Sequence, residues 1–324
     1  MSIISYKYKN VIKIAIRICI PFIILVYVFA TNDIRVIMRY FTHISPIAWM
    51  ISCVMLALSV IFTAFRLWAV LPISTFSNIV YVTLVSGAYA FILPGQVAAE
   101  GMRVYMLGRN EKSYNKPSAA IIVNKVLGLI VLLLLGILGL TVTGRLTTSI
   151  MGLVFLITTA GLCLFLPSIH IPFVYKFICA VITLIEARFP KVEKVCGYII
   201  RTTDNMRNYT RQKGIVAKNL LFCLLFHLSH TAMVAAFTFS IGHGFMYFDW
   251  LWIHALVTFA FMLPITFGNA GVRELSFIAF LSMVGLYPEQ ALAVSFGYLT
   301  LQLFVIVIGF ALEILVKIRK GNMK

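Results

Sequence analysis

Six stretches of the chain, at roughly 12–30, 46–70, 117–143, 149–167, 216–241 and 288–317, are apolar over enough residues to cross about 30 Å of hydrocarbon as helices. Such a chain has few ways to fold. In lipid every backbone N–H and C=O must be satisfied internally, so helices packed as a membrane bundle are the expected outcome. Hydrophobic residues make up 61% of the 324 and charged residues 11%, which leaves no polar block for a separate soluble domain and excludes a soluble enzyme.

Two further regions, 78–110 and 249–286, are long enough in total but are interrupted by Pro94 and Pro264, with glycines close behind. Proline removes an intrahelical donor and clashes with the preceding turn. Each region therefore reads as two short helices forming a re-entrant hairpin, tolerated at membrane depth only where protein or water surrounds the bend. The expected fold class is an all-α polytopic membrane protein of about six full spans plus two re-entrant hairpins, one membrane domain over 1–324.

Basic residues set the orientation, because Lys and Arg in short loops favour the cytoplasm. Lys7, Lys9, Lys13 and Arg17 place the N-terminus inside, and Lys317, Arg319 and Lys320 place the C-terminus there too. Arg66 marks a cytoplasmic span end, and Arg109, Lys112 and Lys116 put the mouth of the first hairpin on that side. The loop from Arg188 to Lys218 carries eight basic residues and belongs inside as well. This requires 171–189, with Lys176, Glu186 and Arg188, to lie along the inner interface. The net charge of +17 then reflects cytoplasmic loops facing anionic headgroups rather than a nucleic-acid partner. The first apolar run reads as an uncleaved span, with a cleaved signal peptide as the alternative.

Under this orientation the order span, hairpin, span occurs twice with opposite facing, as repeat 1 (about 46–143) and repeat 2 (about 216–317). The residues LPGQVAAEGMR (93–103) and LPITFGNAGVR (263–273) share a Leu-Pro start and a Gly-x-Arg end at the same spacing. Inverted repeats with interrupted helices in matching positions point to a translocation site near the midplane. Charges at such depth are expensive and read as functional by default. Glu100 and Arg103 lie one helical turn apart and can pair; Arg273 and Glu274 are adjacent, so each is expected to find its partner elsewhere. Lys125 adds a cation beside Asn124. Gly95, Gly101, Gly268 and Gly271 are expected to let the backbone approach closely at the bends, and the helix starts behind the prolines to offer N–H groups to an anion. A buried ion-pair network that only fixes the fold is the alternative. The six cysteines and the histidines at 227, 230, 243 and 254 show no metal or disulfide spacing, and no cofactor is called for.

The blocks LPGQVAAEGMRVYMLGR and LPITFGNAGVRELSFIAFLSMVGLYPEQALAVSF resemble the two motifs of the lysylphosphatidylglycerol synthase transmembrane-region family, also called flippase-like or UPF0104. The resemblance implies a multi-pass inner-membrane protein whose best-understood relatives move aminoacylated phosphatidylglycerol between leaflets. It carries Pro94, Glu100 and Arg103 from the first motif and Pro264, Gly271, Arg273 and Glu274 from the second. Where the family often has an acidic-Arg pair this chain has Asn124-Lys125, and Gly268-Asn269 stands for a Gly-Gly bend. Nothing resembling the soluble aminoacyl-transferase domain follows residue 324, so lysyl-lipid synthesis by this chain alone is not expected.

The leading expectation is a non-enzymatic lipid translocase for an anionic or modified phospholipid or a polyprenyl-phosphate-linked lipid, bound by Glu100, Arg103, Lys125, Arg273 and Glu274 in a cavity between the hairpins. Alternatives are an integral-membrane transferase, for which the outer loops offer little beyond Asp33 and Asp249, and an accessory subunit of lipid or glycan biosynthesis. The partners expected are a membrane lipid with an anionic headgroup and either a second copy of the chain or a biosynthetic enzyme.

Overall fold

The computed structural model describes residues 19–72, 74–93, 96–146, 150–189, 192–242, 244, 247–263 and 266–321, and these are all-helical without strands. The helices are α1 (Cys19–Thr31), α2 (Ile34–Thr42), α3 (Pro46–Val70), α4 (Phe76–Ile92), α5 (Gln96–Glu111), α6 (Asn115–Val142), α7 (Ile150–Ser168), α8 (Pro172–Arg188), α9 (Glu193–Arg211), α10 (Lys213–Ser240), α11 (Tyr247–Met262), α12 (Val272–Ser282) and α13 (Pro288–Gly321). Five of them, α3, α6, α7, α10 and α13, are long and apolar enough to cross a membrane. A sixth span arises if α1 and α2, bent by 88° at Asn32-Asp33, count as one.

Local chemistry sets the helix ends. Ser45 caps α3, its Oγ accepting the Ala48 N–H at 3.2 Å, with Pro46 in the first turn where no donor is needed. Asp33 accepts the Arg35 N–H at 2.8 Å to start α2 after the sharp bend. Pro288 opens α13 in the same manner, and Gln290 reaches back to the Tyr287 N–H at 2.9 Å.

The chain packs as two compact units. One comprises 1–57, 84–102 and 230–324; the other comprises 58–83 and 103–229, so each draws segments from both stretches read above as repeats. In the first unit α2 and α12 pack on α13, and α11 on α12. Its largest buried side chains include Trp250, Trp252, Phe237 and Phe277, and the Trp250 indole donates to Thr238 Oγ1 at 2.9 Å. α4 and α13 meet closely at Gly309, where a Cβ would lie 2.6 Å from the Leu84 carbonyl oxygen.

In the second unit α6 packs on α7 and α9. Ala119, Val123, Leu127, Leu166, Ile169 and Met206 form one apolar cluster there, and Leu67, Val70, Leu71, Ile79, Val82 and Leu107 belong to another. α9 departs from expectation, since most of the basic stretch from Arg188 to Lys218 is helix rather than loop. The physical reason is a sparse inward stripe, Cys196, Thr202 and Met206, which buries one face while Lys194, Arg201 and Arg211 stay outside.

Candidate functional site

Between α11 and α12 the chain reads Thr-Phe-Gly-Asn-Ala-Gly over 266–271, a composition that favours turns over helix. Gly268, Asn269 and Gly271 take φ of 56°, 57° and 79°, which side chains other than Asn and Asp rarely adopt. Glycine is also needed for space. A Cβ at Gly268 would fall 2.8 Å from the Phe91 ring, and one at Gly271 would fall 3.1 Å from Ile24 of α1. α12 therefore starts at Val272, eight residues after Pro264, not directly behind the proline as expected. In the first broken pair α5 starts at Gln96, two residues after Pro94.

Glu274 sits in the first turn of α12 and folds back on the helix start. Its Oε2 accepts the Gly271 N–H at 2.8 Å, and its Oε1 accepts Arg273 Nε at 2.9 Å and Arg273 Nη2 as well. This overturns the expectation that the two charges seek partners elsewhere. Adjacent residues diverge along a helix interior, but a glutamate at the third position turns toward the cap, within reach of the neighbouring guanidinium.

Both side chains are buried, Arg273 being 4% and Glu274 1% exposed. The pair is mutually neutralised, which makes its burial tolerable. One donor remains: Arg273 Nη1 is buried with no hydrogen-bond partner among the described residues. The Arg273 guanidinium interacts electrostatically with the buried phenol of Tyr298, whose hydroxyl accepts from Gln302 Nε2 at 2.8 Å. The Tyr298 ring packs on Phe277, Phe261 and His230, and His230 lies against His254 with centroids 4.8 Å apart. The hydroxyls of Thr266 and Ser295 are buried in the same unit and also lack partners. Buried polar atoms are overwhelmingly satisfied in folded proteins, so these orphans, with His230 Nδ1 as a fourth, need an explanation. What Arg273 can do here is donate to an oxygen of phosphate or carboxylate, an interaction strengthened by low local dielectric.

Pro94, Gly95 and Pro264 lie outside the described residues. Gly101 is exposed and a Cβ there would meet nothing within 4 Å, so the expected close approach is not found at that position. Glu100 and Arg103 are half-buried on α5, and each interacts within the protein. Lys125 on α6 is half-buried and engaged too. Beside it, in the second unit, Asn124 joins a buried network: Asn219 Nδ2 donates to Asn124 Oδ1 at 3.1 Å and to the Arg66 carbonyl at 2.6 Å. The Arg66 guanidinium stacks over the Phe226 ring at 4.5 Å. Among the described residues no group of three or more His, Cys, Asp and Glu gathers as a metal site. An apolar hollow of about 340 Å³, lined by residues such as Ser45, Ala48, Ala236 and Phe239, includes none of the expected site residues.

Sequence reading missed Tyr298, Gln302, Thr266 and Ser295. The available signal was polar residues at helical spacing, 295, 298 and 302, inside an apolar span.

Long apolar helices around a broken pair that buries an arginine define a polytopic membrane protein with a charged site at a helix interruption. The sequence matches the family described as Lysylphosphatidylglycerol synthase TM region over residues 10–309, and the chain belongs to that family. Searches of curated proteins and of solved structures return no significant match. Membership makes this a multi-pass membrane protein of a family tied to lipid biosynthesis.

Proposed function

We propose that the protein moves a lipid with an anionic headgroup, a phospholipid, a modified phospholipid or a polyprenyl-phosphate-linked lipid, between leaflets of the inner membrane without chemically changing it. The observation that carries this reading is the unpartnered Nη1 of buried Arg273 at the α11–α12 break, because an arginine whose charge is already balanced still holds one donor in reserve. That donor suits a phosphate oxygen. Family membership supports a lipid as cargo, and the two broken pairs in matching sequence positions support inverted repeats with access alternating between sides. Glu100, in the same unit as Arg273, is proposed as a further headgroup contact, Arg103 and Lys125 as lipid contacts within the second unit, and both termini as cytoplasmic.

The transferase reading is less favoured, since both carboxylates it would draw on have structural partners: Asp33 caps α2 and Asp249 accepts the Trp252 indole N–H at 3.2 Å. The test is a leaflet assay in proteoliposomes holding fluorescent phosphatidylglycerol. Wild-type protein is expected to expose inner-leaflet label to an external quencher, and Arg273→Gln to lose most of that activity. No movement of any anionic lipid by folded wild-type protein, or a chemically altered lipid after incubation, overturns the proposal.

A further inference from the structure

We propose a second lipid site, distinct from the α11–α12 break: the corner between α7 and α8, with the C-terminal end of α9, binds the phosphate of an anionic phospholipid whose chains lie along the outer face of α8. It lies wholly within the second unit and does not rest on translocation.

The polar part is built from His170 and two arginines, Arg207 and Arg211. His170, in the α7–α8 turn, bonds through Nε2 to Thr210 Oγ1 at 2.8 Å. Thr210 Oγ1 itself donates to the Met206 carbonyl, so the histidine nitrogen is the donor in this contact. Arg207 stacks its guanidinium 4.0 Å over the Tyr175 ring, and Tyr175 donates its hydroxyl to Asp204 at 2.7 Å. The Asp204 carboxylate is thus held by a phenol. Neither Arg207 nor Arg211 makes an ion pair among the described residues, although both act electrostatically on His170. Arg207 Nε is buried with no hydrogen-bond partner among the described residues. The two guanidinium groups beside the neutral imidazole repel one another, and an anion between them removes that repulsion. α8 begins at this turn with Pro172 and no side-chain cap.

The apolar part follows directly. Tyr175, Cys179 and Ile182 lie on the inner side of α8, whereas Phe173, Phe177, Val181 and Leu184 recur every three or four residues on the other side. Phe173 is 78% and Leu184 71% exposed. A stripe of phenylalanine, valine and leucine starting at a cationic corner matches a lipid, headgroup first and chains after. An acidic peptide or free phosphate has no use for the stripe. With the loops rich in Lys and Arg facing the cytoplasm, the lipid belongs to the cytoplasmic leaflet, where anionic headgroups attract basic segments.

The experiment uses the full chain in detergent with phosphatidylglycerol and in nanodiscs of phosphatidylcholine with or without it. Native mass spectrometry is expected to show retained phosphatidylglycerol falling about fivefold for each charge removed in Arg211→Gln and Arg207→Gln/Arg211→Gln. Loss of the same two charges in Lys317→Gln/Arg319→Gln should leave retention unchanged, and Phe173→Ser/Leu184→Ser should lower it. Arg211 is exposed, so its variant keeps the fold if Arg207 proves necessary for stacking. By NMR, the His170 titration midpoint should be higher in phosphatidylglycerol discs than in phosphatidylcholine discs. Equal retention in all variants, an unmoved midpoint, or full displacement of the lipid by millimolar inorganic phosphate overturns the proposal.

Discussion

Arg273 and Glu274 are coupled so tightly that their single substitutions should not look alike. Glu274 holds both the start of α12 and the guanidinium, so Glu274→Gln removes a charge balance and weakens a cap. Breaking a buried pair on one side costs about 3–5 kcal/mol, and loss of that size should appear as a lower melting temperature in detergent. Arg273→Gln leaves the Glu274–Gly271 contact in place but also strands a buried carboxylate, so it too should lower the melting temperature, and the protein that remains folded should still lose lipid transport. The glycines divide in the same way. Gly268→Ala forces a side chain onto φ 56° and into the Phe91 ring, for an expected cost of at least about 1–2 kcal/mol. Gly101→Ala meets open space within α5 and is expected to stabilise by about 0.5–1 kcal/mol, as the same thermal assay can read. Equal effects at the two glycines would contradict the packing described at the second break.

Among the elements, α10 depends on Asn219, which is fully buried and ties α3 to α6 through Arg66 and Asn124. Asn219→Leu strands the Asn124 carbonyl and should cost about 1–3 kcal/mol, with a double-mutant cycle against Asn124→Ala showing the two effects to be non-additive. The α8–α9 pair carries a pH dependence. Burial, then Arg211, then Arg207, lowers the pKa of His170 below its ordinary value. The unfolded chain then binds the extra proton first, so in a neutral-lipid background stability should fall as pH drops below about 6.5, and His170→Gln should flatten that part of the pH–melting profile. Five of the six expected spans were legible in sequence to within a few residues, 46–70 against Pro46–Val70 for example, because length and apolarity alone decide which helices can enter lipid; the first, 12–30, lies partly outside the described residues. α2 and α9 were not. Both are short or strongly basic, and their inward faces hold so few apolar residues that packing on a neighbour, rather than hydropathy, makes them helices. The second break was read as a proline kink, yet the Gly-Asn-Ala-Gly turn delays α12 to residue 272. The charged residues were found; their pairing was not, because a helix start obeys capping rules that differ from interior spacing.

For the whole molecule, the excess of Lys and Arg predicts that both termini and the α8–α9 pair face the cytoplasm. Single cysteines placed at Lys194 and Gly242 in a cysteine-free background should label from opposite sides of sealed vesicles; labelling of both from one side would contradict the proposed topology. Lipid passage makes a harder demand, that a headgroup leave the surface and reach a buried arginine. The direct measurement is photocrosslinking with phosphatidylglycerol carrying a reactive group on its headgroup, followed by peptide mapping. Adducts are expected on 266–277 and 295–302 and should vanish in Arg273→Gln, whereas adducts confined to lipid-facing helix surfaces, unchanged by that substitution, would contradict a headgroup site at the α11–α12 break.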